Sequence, residues 1–163
     1  MSATGTIEPA PDGRSVVTFV RELGHPVERV WTAITQTEHL RSWFPADVDL
    51  TLELGGAPLS FRPTTQQRAR YGSSDADTTT GTVTAVDPPH LLEFTWGDDL
   101  LRWELVGSDS HCRLTFQHVV AGADAARAHL PGWHAGLDAV EAGLRGEVID
   151  LWGEPARYDA LYR

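Results

Sequence analysis

The spacing of apolar positions changes repeatedly along the chain, and each change marks an element. Ser15 to Leu23, SVVTFVREL, is a β-branched run that predicts a strand. Gly24-His25-Pro26 breaks it, and Pro26 is suited to the first turn of a helix. In VERVWTAI, Val27, Val30, Trp31 and Ile34 fall at i, i+3, i+4 and i+7, one face of a short amphipathic helix. Thr37 is placed to cap a second, TEHLRSWF, which Pro45 ends.

The period then becomes two. Val48, Leu50, Leu52 and Leu54 alternate with polar neighbours, which predicts a half-buried strand, with a hairpin at Gly55-Gly56 and Leu59 and Phe61 on the return. Residues 63–77 are polar and read as a mobile loop. Strands are expected at 78–86, 91–96, 100–106 and 112–120, separated by Pro-, Gly- and Asp-rich turns. Near the end, Trp133, Leu137, Val140 and Leu144 return to helical spacing; residues 124–130 add a turn or two, and Pro131 restarts or kinks the helix. Strands joined by tight turns favour an antiparallel sheet, so the fold class is α+β. Residues 1–14 read as a flexible tail and 15–150 as one domain. Residues 151–163 read as an aromatic extension that packs on the domain or on a partner such as a second copy in a homodimer.

Composition narrows the function classes. All 13 basic residues are arginine, and 23 acids leave a formal charge of −10, which disfavours nucleic acid and anionic membrane as partners. Cys112 is the only cysteine, and no apolar stretch reaches the roughly 20 residues that span a bilayer. With no signal-peptide pattern at the N-terminus, the expected location is cytoplasmic.

The segments HPVERVWTAITQTEHLRSWF, ELGGAPLSF, TGTVTAVDPPHLLEFTW, CRLTFQHVV and PGWHAGLDAVEAGLRG occur in order over roughly residues 15–147. In this the chain resembles the activator of heat-shock-protein ATPase homologue-like family, a branch of the START-like (SRPBCC) superfamily. The resemblance implies a helix-grip fold, a curved antiparallel sheet wrapped around a long C-terminal helix. Superfamily members bind lipids, hormones or polyketides, some act as cyclases, and the eukaryotic namesakes bind a heat-shock chaperone. The namesakes usually carry a further N-terminal chaperone-binding domain, for which 163 residues leave no room.

In such a fold, strand parity turns Phe94, Trp96, Trp103, Phe116 and His118 towards the helix, where Trp31, Trp43, Phe44, Phe61, Trp133 and Leu137 join them. Such walls suit a hydrophobic or aromatic small molecule or a lipid; the same rings equally make a collapsed core. Trp43-Phe44-Pro45 falls where helix-grip proteins keep their entrance. The candidate polar anchors are Arg21, inward by alternation and in need of a partner, either a carboxylate or an acidic ligand head, His118, and His134, at the rim or in solvent. Glu104 and Asp138 read as solvent-facing. His129 and His134 are five apart, and neither H-E-x-x-H, C-x-x-C nor a phosphate loop occurs, so no metal, cofactor or catalytic residue is expected. A cyclase- or dehydratase-like enzyme using His118 or Arg21 remains a third reading.

Overall fold

In SVVTFVREL the alternation predicted from sequence is realised: Val17, Phe19, Arg21 and Leu23 are buried, while Val20 and Glu22 are exposed. The computed structural model describes residues 2–163; Met1 lies outside them. In chain order the strands are β1 (Thr6–Pro9), β2 (Ser15–Leu23), β3 (Leu59–Phe61), β4 (Thr79–Gly81), β5 (Val83–Asp87), β6 (Leu91–Trp96), β7 (Asp99–Gly107) and β8 (Cys112–Val120). The helices are α1 (Val27–Thr35), α2 (Thr37–Leu40), α3 (Thr65–Tyr71), α4 (Ala123–Leu144) and α5 (Pro155–Asp159).

Six strands form one antiparallel sheet in the order β1-β2-β8-β7-β6-β5, and β3 pairs with β4 apart from it. Register lines side chains into rows across the sheet. Phe19 stands opposite Phe116, Phe116 opposite Trp103, and Trp103 opposite Leu92. The next row runs Val17, His118, Leu101, Phe94, Val83. Helix α4 lays Ala126, Leu130, Trp133, Leu137, Val140 and Leu144 towards this surface, a stripe at helical spacing that is buried throughout. The result is an α+β helix-grip arrangement. No helix of the described residues is long and apolar enough to cross a membrane.

Several expectations are corrected. Within the supposed tail, Thr6–Pro9 pairs antiparallel with Ser15–Thr18 as an edge strand, with Pro9 at its end, where a missing N–H is tolerated. Residues 48–54 are not a strand. Only Asp47 bridges to Arg62, and although Val48 is buried, Leu54 is 64% exposed. Alternation alone makes no strand without a partner ladder, and the ladder of β3 is taken by β4. There Gly81 is obligatory, because a Cβ would overlap the Thr95 carbonyl.

The supposed mobile loop at 63–77 holds α3. Thr64 accepts from the Gln67 N–H, the Gln67 side chain accepts from the Thr64 N–H, and Gly72 closes the helix at φ 67°. That reciprocal cap and left-handed stop were written in the sequence as Thr-x-x-Gln and a glycine seven residues on from Thr65. The strand expected over 78–86 is divided at Thr82 between two sheets. Thr37 begins α2 but does not cap it, the capping position being Gln36. Finally, α4 runs unbroken from Ala123, with Pro131 inside it.

Candidate functional site

On the sheet side of α4 the residues expected to wall a cavity occupy the space themselves. Trp103 and Phe116 stack with centroids 4.0 Å apart, and Trp133 lies 4.5 Å from Phe116. Phe61 stacks on Trp96 at 4.6 Å and on Phe94 at 5.8 Å. Phe44 bridges the groups, 5.4 Å from Trp96 and 5.9 Å from Trp133, while Trp43 meets Trp103 edge-on. Trp31 and Leu137 are buried in the same core without entering this ring stack. Rings at these separations and angles are at favourable contact distance, as in a packed interior.

His118 is embedded in that stack at 2% exposure. The Trp133 indole N–H donates to Nδ1 at 2.9 Å, and an indole N–H can only donate. His118 therefore carries its proton on Nε2 and gives it to Asp99 Oδ2, also at 2.9 Å. Burial pushes its pKa down to about 4 against the opposing pull of Asp99. The imidazole is thus fixed as one neutral tautomer, which positions Trp133 and leaves neither nitrogen free for a ligand. His129 lies beside it, ring centroids 4.7 Å apart, and ligand atoms of Asp99, His118 and His129 gather within 4.8 Å. Because Nε2 of His118 bears a proton directed at Asp99, the trio is arranged as a hydrogen bond and not as a cation cage.

A large open volume lies elsewhere. A cleft of about 500 Å³ lies between the Trp43-Phe44-Pro45 corner, the start of α3, one face of α4 and residues 148–159. The α4 wall is made of Ala128, Pro131, Gly132 and Ala135, small or ring-closed residues at i, i+3, i+4 and i+7. Their lack of bulk keeps the groove open. The opposite wall is Val148–Trp152 with Pro155 and Tyr158, pinned to α3 where Arg70 lies 5.1 Å over the Trp152 ring and Tyr71 meets it edge-on. Of the sequence candidates only Trp43 and Phe44 reach this cleft. The small-residue spacing in AHLPGWHA was the available sign of it.

Adjoining the cleft through Tyr158, a polar network replaces the expected solvent. His134 is 1% exposed and Asp138 mostly covered, because Ser2–Gly5 and the C-terminal segment close over them. Arg21 enters from β2: Nε is 3.0 Å from Glu141 and Nη2 3.6 Å from Asp138, charge contacts rather than aligned hydrogen bonds, while Nη1 donates to the Ala3 carbonyl at 2.6 Å. Asp138 also accepts from Ser2 Oγ at 2.6 Å and from the Tyr158 hydroxyl at 3.2 Å. Ser, His and Asp meet here, yet the serine proton points at the carboxylate and not at the imidazole, so no nucleophile is activated. Glu104, by contrast, is on the outer sheet face paired with Arg102.

The comparisons with known proteins bear on the fold. CalU16 from Micromonospora echinospora superposes with TM-score 0.70 at 19% identity, over 99% of this chain and 92% of its own. A conserved protein of unknown function from Enterococcus faecalis gives 0.74 at 14% identity, over 97% and 87%. A protein from Bordetella parapertussis gives 0.70 at 24%, over 99% and 91%. At these identities the likeness is one of fold. No curated protein matches the sequence. The family described as activator of Hsp90 ATPase homolog 1-like protein matches residues 24–145, three quarters of the chain, and to that family this protein belongs.

Proposed function

We propose that this protein binds an apolar or aromatic small molecule, or a lipid chain, in the cleft between the Trp43-Phe44-Pro45 corner, α4 and residues 148–159. The carrying observation is the division of space: the sheet side of α4 is filled by its own rings, whereas a volume of about 500 Å³, within the ordinary size of ligand sites, stands open on the other side. Family membership supports a binding scaffold of this kind. The lining favours binding over turnover. Among the described residues it holds no histidine or cysteine, and its only charged members are Arg41, Asp150 and Asp159. Gln66, Gln67 and Ser42 would orient a polar end.

The test is a thermal-shift screen with hydrophobic and aromatic compounds, run in parallel on the wild type and on Ala128→Trp. Ala128 is exposed and lines the cleft, so an indole there fills the groove with little effect on the fold. Compounds that raise the melting temperature of the wild type should lose the effect in the variant. A broad panel without any shift, or shifts equal in both proteins, refutes the proposal.

A further inference from the structure

Both ends of the described chain are fastened to one buried histidine, and the direction of every bond in that fastening is determined. The Ser2 hydroxyl gives its proton to Asp138 Oδ1, so towards His134 Nε2, 2.8 Å away, it accepts. Nε2 therefore carries the ring proton. Nδ1 is then bare and accepts from the Tyr162 hydroxyl at 2.6 Å, and the Tyr162 oxygen in turn accepts the Gly5 N–H at 3.0 Å. A second ring proton has one place to go, Nδ1, where it meets the Tyr162 O–H head-on. Tyr162 would have to turn its hydrogen away and give up the bond it donates to the ring.

The charges around the ring come from every element packed on it. Arg21 of β2 and Arg157 of α5 oppose a second positive charge; Asp138 favours it; burial, the largest influence, opposes it, and His134 is held below the usual histidine range. Glu141, one turn on from Asp138, is itself pushed up by burial and eased down by Arg21. Tyr158 and Tyr162 are both pushed up, burial leading, and stay neutral donors.

We propose that His134, Tyr162, Ser2 and Asp138 form a proton-released latch, which holds the C-terminal segment and Ser2–Gly5 on α4 while His134 is neutral and frees both when it is protonated. Tyr158, tied to the same Asp138, is a wall of the cleft, so release opens the cleft. That consequence rests on the binding function proposed above, but the latch is read without any ligand.

The measurement is hydrogen exchange of the whole, ligand-free protein from about pH 8 down to about pH 5, expressed as protection factors so that intrinsic pH dependence drops out. The folded pKa is lowered, so the closed state is fully favoured above the unfolded value of 6.5 and loses favour as pH falls below it. Protection at Gly5 and over residues 156–162 should fall progressively as pH drops below 6.5, at a slope of at most about tenfold per pH unit, while β7 and β8 keep theirs. In His134→Gln, which keeps one donor and one acceptor but does not titrate, the fall should vanish. Tyr162→Phe should lower protection of the segment at every pH. Protection that stays level to about pH 5 in the wild type, or the same fall in His134→Gln, overturns the latch. Should His134→Gln not fold, the titration of the His134 ring followed by NMR in the wild type decides instead. A midpoint at or above 6.5 with the segment still protected is incompatible with release.

Discussion

Two sides of α4 differ in the bulk of their residues and behave oppositely. Facing the sheet, Leu130, Trp133 and Leu137 meet aromatics whose register rows bring them into contact, and the space closes. Facing the C-terminal segment, Ala128, Pro131, Gly132 and Ala135 meet a loop and a short helix, and a groove remains. A regular ladder delivers side chains at fixed intervals and so permits close filling; a segment of five helical residues and a tail has no such periodicity. The histidines repeat the contrast. His118 is locked by rigid partners, an indole and a carboxylate at the start of the interior strand β7, whereas His134 is held by groups from near the two chain ends.

The contrast breaks most visibly at Trp103. Trp103→Ala removes a ring that is 1% exposed and should cost about 3–5 kcal/mol in chemical denaturation, whereas Trp152→Ala on the cleft side should cost well under about 1 kcal/mol. Comparable losses would mean that the two sides are equally packed. Next is acid. His118 folds with a pKa of about 4 against 6.5 unfolded, so the folded state binds fewer protons and stability rises with pH through that window. Its loss on acidification from neutral to about pH 4 should be on the order of 3 kcal/mol, and Trp133→Phe, which frees Nδ1, should move the His118 NMR titration upwards. An unmoved titration would dismiss the indole as the lock. The smallest effect is expected at Gly143, exposed in the last turn of α4 with open space where a Cβ would sit. Gly143→Ala should stabilise by roughly 0.5–1 kcal/mol in thermal unfolding, on neither side of the contrast.

Much of the fold was legible because burial on one face leaves a periodic trace. β2, β6, β7, β8 and the α4 stripe read directly from spacing. Residues 48–54 carry the same period without a neighbour to pair with, and spacing cannot report a missing neighbour. The Thr64 capping box and Gly72 stop were legible as local chemistry, though the polar composition of 63–77 masked them. The aromatic cluster was recognisable as inward-facing, but whether rings leave a void depends on fractions of an ångström at contacts such as Trp103 on Phe116, which no pattern encodes. The burial of His134 and Asp138 was illegible for a different reason: their cover comes from Ser2 and Tyr162, more than twenty residues away in sequence on either side.

The hydrogen bond from Gly5 to Tyr162 joins residues 157 positions apart. A loop of that length carries a heavy entropic toll for closure, and the bond offers little until the sheet and its helix exist to bring the two together. It belongs at the end of assembly and at the beginning of unravelling. Peptide fused directly before Ser2 or after Arg163 would press on this seam first, well before it disturbed the aromatic interior.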